Sequence, residues 1–117
     1  MKKYLVAWLV VLSGTAQAAD LPKSMHGKWA SDPKACGEQA SELAMTVEPR
    51  SVLFYEHGYS VRQITRLRDG AVKASGHSFD DEGRTPGTIT LKLLSADKLE
   101  ARGEVYHRCK SRNGSGG

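Results

Sequence analysis

Two cysteines, Cys36 and Cys109, constrain this 117-residue chain more than any other feature. What they do depends on where the chain goes. Lys2 and Lys3 give a positive start, Tyr4 to Leu12 an uncharged apolar run, and Ala16-Gln17-Ala18 the small-x-small pattern that signal peptidase reads. Residues 1–18 therefore read as a cleavable export signal, with cleavage after Ala18. The apolar run is about half the length of a bilayer-spanning helix, which argues against a stable membrane anchor. The leader is compact in the bacterial manner, so the expected destination is the periplasm or the exterior. In that compartment a lone pair of cysteines is expected to be a disulfide. No second cysteine at short spacing offers either thiol a metal instead. Closing a loop of roughly 70 residues is worth about 4 kcal/mol by chain entropy, comparable to the whole stability of a small domain.

Removing the leader also changes the charge. The formal net charge of +4 includes Lys2 and Lys3, so the remaining chain carries +2. Its basic residues are mixed with acidic ones rather than grouped, which gives no footing for a nucleic-acid role. Length allows one domain, over residues 19–110. Residues 111–117, Ser-Arg-Asn-Gly-Ser-Gly-Gly, read as a flexible tail.

Within the domain the apolar residues alternate and turn signals recur. Gly27–Ala30 is a first short strand, and Asp32–Gln39 a loop with room for one helical turn. Leu43, Met45 and Val47 alternate with polar residues, as in a half-buried strand; a short helix over Gln39–Met45 is the competing reading. Val52–Glu56 and Tyr59–Leu67 flank a turn at His57-Gly58. Asp69-Gly70 signals a two-residue type I′ hairpin turn, followed by Val72–Phe79. Asp80-Asp81-Glu82-Gly83 turns the chain again. Ile89, Leu91 and Leu93 make the clearest strand, and Leu99–Arg108 the last. About seven strands without a long crossover predict an all-β fold, a small antiparallel up-and-down β-barrel. A disulfide from the end of the first strand to the end of the last agrees with closure, which removes both raw edges.

Gly27-Lys28-Trp29 opens the first strand, and Arg108 closes the last beside Cys109. This pairing resembles the lipocalin and wider calycin group, small β-barrels in which a Gly-x-Trp packs against an arginine from the last strand. The resemblance implies that Trp29 and Arg108 close one end of the barrel, and that a small apolar or envelope-derived ligand binds inside. A second resemblance is to the small periplasmic inhibitors of C-type lysozyme, disulfide-bearing barrels of similar length. It rests on Ser75-Gly76, which is similar to the Ser-Gly element of their inhibitory loop, and it implies a protein partner.

Candidate chemistry is thin. His26, His57, His77 and His107 lack local metal-ligand spacing, although His77 and His107 would meet if strand register allowed. Asp80, Asp81 and Glu82 fall in a turn and lack the further oxygen ligands of a calcium loop. His77 and Ser78 are neighbours in a strand, which points them to opposite faces. Arg62, Arg66 and Arg68 would share a strand face by period two, a candidate surface for an anionic ligand or partner. The reading is of an exported, non-enzymatic binding protein without cofactor or metal. Its partner is a small molecule held in the barrel or, alternatively, a protein met by a surface loop.

Overall fold

The period-two segments pair in the order in which they occur. The computed structural model describes residues 20–37 and 42–110; the export signal expected at 1–18 and the tail expected at 111–117 lie outside the described residues. Eight antiparallel strands close a barrel: β1 (Gly27–Ala30), β2 (Ala44–Glu48), β3 (Ser51–Phe54), β4 (His57–Arg66), β5 (Val72–Asp80), β6 (Gly83–Ser95), β7 (Lys98–Ala101) and β8 (Glu104–Arg108). Each strand neighbours the next, and β8 returns to β1 through Trp29 opposite Arg108 and Ala30 opposite His107. Among the described residues there are also two short 3₁₀ turns, at Lys23–Met25 and Pro33–Gly37.

The all-β barrel stands as read, with eight strands where about seven were expected. The difference lies at residues 99–108, read as one last strand. Arg102 (φ 55°) and Gly103 (φ 79°) turn the chain in the left-handed region, and Ala101 pairs with Glu104 across them. Alternation continues through this turn, so the pattern alone does not show it. The turn expected at His57-Gly58 falls two residues earlier, at Tyr55-Glu56, with Phe54 opposite His57. Asp69-Gly70 does mark a turn, but not a two-residue type I′. Leu67 N–H donates to Ala71 O (2.9 Å) and Gly70 N–H to Leu67 O (3.1 Å), and only Gly70 has positive φ, at 91°. This is the three-residue loop with a glycine bulge. Over residues 44–48 strand wins over helix, while Pro33–Gly37 supplies the helical turn expected in the first loop.

The interior belongs to the chain itself. Trp29, Met45, Val47, Val52, Val72, Leu91 and Leu99 are almost wholly buried in one cluster, with Ile64, Ile89 and Tyr106 around them. Each such aliphatic side chain stabilises the fold by about 1.5–3 kcal/mol. Leu21 and Met25 join the same cluster from the segment before β1, held there by Leu21 N–H donating to Pro49 O (2.7 Å). They form the floor of the barrel.

β4, β5 and β6 are long and the other strands short, so the wall is uneven. β7 pairs only with Leu91–Ser95 of β6, which leaves Gly83–Thr90 as a free edge on that side. Pro86 interrupts its row of donors, a common way of blunting an edge against unwanted pairing.

Candidate functional site

The two ends of the barrel are built differently, and the sequence pointed to only one of them. At the floor, the Arg108 guanidinium lies 4.3 Å from the centre of the Trp29 ring. Its nitrogens donate to Ser24 O (2.7 Å), His26 O (3.0 Å) and Ala96 O (3.0 Å), and its Nε is 3.9 Å from Asp97. The Trp29 indole N–H donates to Met25 O (3.0 Å). Arginine suits this place because its planar fork stacks on a ring while serving several carbonyls at once. Cys36 and Cys109 are joined, with Cα atoms 5.4 Å apart, tying the first loop to the chain just beyond β8. This end is fully engaged in holding itself together.

The other end is open. Its rim is made by three turns, at Tyr55-Glu56, Asp81-Glu82 and Arg102-Gly103, with Glu42 from the approach to β2. They surround a cleft of about 920 Å³. Phe54, His57 and Tyr106 also line it. His57 stacks on Phe54 at 4.9 Å and 13° between planes, and Phe54 packs tilted against Tyr106 at 6.4 Å. Arg102 reaches over this group: its Cζ lies 4.4 Å from the Phe54 ring centre, and its Nη1 donates to His57 Nε2 (2.9 Å). On its other nitrogen His57 donates from Nδ1 to Tyr55 O (3.3 Å), which leaves Nε2 as the acceptor that Arg102 requires.

Around this cation–aromatic group stand Glu42, Glu56, Asp80, Asp81, Glu82 and Glu104. Asp80 accepts from the Glu82 N–H (2.8 Å) and Glu104 from the Tyr106 hydroxyl (3.4 Å). The ion pairs among the described residues lie elsewhere, at Arg50–Asp20, Lys92–Asp69 and Arg108–Asp97. Six carboxylates against the one Arg102 guanidinium leave the rim with an excess of negative charge. One effect reaches Tyr106, whose pKa is raised above 10.0, first by burial and then by the Glu104 carboxylate, against an opposing pull from Arg102. Among the described residues, both non-glycine residues with left-handed backbone, Glu56 (φ 68°) and Arg102, sit on this rim. Such conformations cost energy and gather at functional places.

The remaining expected residues are dispersed. The bulge between Val61 and Gln63 of β4 breaks the period that would have aligned Arg62, Arg66 and Arg68. Arg62 is the extra residue of the bulge, Arg66 stands opposite Val72, and Arg68 lies beyond the strand; all three are exposed. They do not form the single row expected. Ser75-Gly76 lies within β5 and not on a loop, and Gly76 is explained by packing: a Cβ there would run into the Ser60 carbonyl oxygen at the bulge. His77 on β5 and His107 on β8 are separated by β6 and β7 and do not meet. Among the described residues no group of three or more potential ligands could hold a metal ion. Asp81 and Glu82 form the turn expected of them.

Phe54, Arg102 and Tyr106 were not singled out by sequence reasoning, and His57 was weighed only as a metal ligand. The only local signal was the pair of short turns at 55–56 and 102–103, and both were misplaced or missed. No family model, curated protein or solved structure matches the chain.

Proposed function

We propose that this is an exported, non-enzymatic binding protein that meets a basic partner protein through the open end of its barrel. The observation that carries this reading is the ring of six carboxylates, none of them in an ion pair, on and beside the rim turns around an aromatic-floored cleft. Such a ring steers cationic partners and excludes anionic ones. The net charge of +2 expected after cleavage is by itself a mild argument against an inhibitor of basic enzymes. Local field matters more than net charge, and the acids are concentrated where the turns are. The reading of a carrier with an apolar ligand inside the barrel has less support, because the chain's own side chains fill that space. Export rests on the leader and agrees with a disulfide that persists only outside reducing compartments.

The test compares the wild-type chain with a rim variant carrying Glu56→Lys, Asp81→Lys and Glu82→Lys, as baits in periplasmic extract and against purified C-type lysozyme as a basic probe. The reading expects a stoichiometric partner held by wild type, released by salt, and lost by the variant. A partner retained by the variant, or a lipid co-purifying with the wild-type protein in native mass spectrometry, overturns it.

A further inference from the structure

Phe54 and His57 form a small platform that already holds a guanidinium, the one belonging to Arg102. We propose that this platform is an arginine-binding site, that Arg102 fills it as an internal stand-in in the free protein, and that an arginine side chain of the partner replaces it. This rests on the open end being the binding end and names the group that it recognises.

The platform selects a guanidinium by shape as well as charge. The ring face of Phe54 takes a flat cation at 4.4 Å, and His57 Nε2 takes one N–H from its edge at 2.9 Å. A planar fork satisfies both contacts at once, whereas an ammonium offers no flat face to stack. The platform is built before any ligand arrives. His57 is stacked on Phe54, its Nδ1 is committed to Tyr55 O, and Tyr106 packs against Phe54.

Arg102 is fitted to leave. Its only hydrogen-bond partner among the described residues is His57, and none of the nearby carboxylates lies within ion-pair distance of it. Arg108, by contrast, is fixed by three carbonyls. Arg102 is exposed, and it occupies a left-handed turn position that asparagine or glycine fills with less strain. The carboxylates of Glu56, Asp80, Asp81, Glu82 and Glu104 hold a second cation near the mouth while the first swings out.

The experiment follows the full chain by NMR while acetyl-Gly-Arg-Gly-amide, or the same peptide with lysine, is added. The expected result is a saturable shift at the Phe54 ring, His57 and the Arg102 side-chain Nε together, with the lysine peptide weaker. Arg102→Asn removes the competitor and should bind the arginine peptide about two- to five-fold more tightly, the range set by an exposed cation–π contact. Phe54→Leu should lose most of the binding. Arg102→Gly, which also suits the turn, replaces Arg102→Asn if the latter gives a poorly dispersed spectrum. Equal or weaker binding by the Arg102 variant overturns the proposal. So do shifts confined to Asp80–Glu82 and alike for both peptides, which would mark attraction by charge alone. If the triple rim variant loses the partner while the Arg102 and Phe54 variants keep wild-type affinity, this inference fails and the open-end reading stands. If the rim variant keeps the partner, the open-end reading itself fails.

Discussion

Arg102 and Arg108 each lie over an aromatic ring at nearly the same distance, 4.4 and 4.3 Å, yet they do different work. Arg108 is multiply bonded to carbonyls from two separate segments and is part of the floor. Arg108→Lys keeps the charge but cannot span those carbonyls, and hydrogen bonds from a charged donor are worth about 1.5–3 kcal/mol. The expected outcome is a loss of that order in denaturant-unfolding stability, with binding at the open end unchanged. Tyr106 supplies a second residue-scale prediction. Its pKa is raised in the folded state, by burial first and Glu104 second, so the folded protein holds the phenolic proton more tightly than the unfolded chain. That contribution is intact below the unfolded value near 10.0 and is lost as pH rises through the folded value. Thermal unfolding measured across this range should therefore fall more steeply for wild type than for Tyr106→Phe. Trp29 and Arg108 were legible in the sequence because they sit at the two chain ends of the barrel, next to a glycine and a cysteine that mark them. Phe54, His57 and Arg102 carried no such mark: Phe54 and His57 face each other across one hairpin turn, and Arg102 reaches them from another only when the barrel closes.

Strands announced themselves more reliably than turns did. Every strand expected from alternation has a counterpart, but Leu99–Arg108 hid two because Arg102-Gly103 preserves the period of two across the corner. β6 was read as starting near Ile89, because Gly83–Thr88 contains two glycines and Pro86 and shows no apolar alternation. Only its pairing with β5, from Asp80 opposite Gly83 onward, makes it a strand. The β4 bulge was equally silent, since nothing marks Arg62 as an extra residue except Gly76 across from it. That glycine gives a sharp test. Gly76→Ala drives a Cβ into the Ser60 backbone, an overpacking that costs about 1–3 kcal/mol, whereas Gly37→Ala, with open space around it, should stay within about 0.5 kcal/mol. Equal denaturation midpoints for the two variants would mean that the bulge yields. Gly103→Ala tests the hidden turn in the same way: at φ 79° an alanine is strained by about 1–2 kcal/mol, and the loss should appear as unfolding that remains two-state.

The barrel as a whole is closed by its shortest seam. β4–β5 and β5–β6 share long ladders, while β1 and β8 meet through only two residue pairs. Around that seam the chain adds further ties: Cys109 N–H donates to Lys28 O (2.8 Å), Arg108 stacks on Trp29, and the Cys36–Cys109 bond spans 73 residues of sequence. The cysteine spacing suggested a clasp between first and last strands. The structure places it where pairing is thinnest, just outside β1. The bond should therefore matter both to global stability and to the order in which the barrel opens. Replacing both cysteines by alanine should cost about 4 kcal/mol by the chain-entropy argument for a loop of this length. Native-state hydrogen exchange supplies the more specific reading. Amides of β1 and β8 should lose protection at lower free energy than those of β4–β6 in the variant, while in the intact protein the two groups should open together. A variant that loses protection evenly around the barrel would show that the bond acts on the unfolded chain alone. Early loss at β1 and β8 would show that it also holds the seam. The floor built on Trp29 and Arg108 would then open with the seam, while the Tyr55-Glu56 and Asp81-Glu82 turns, carried on β3–β6, would keep their place at the mouth.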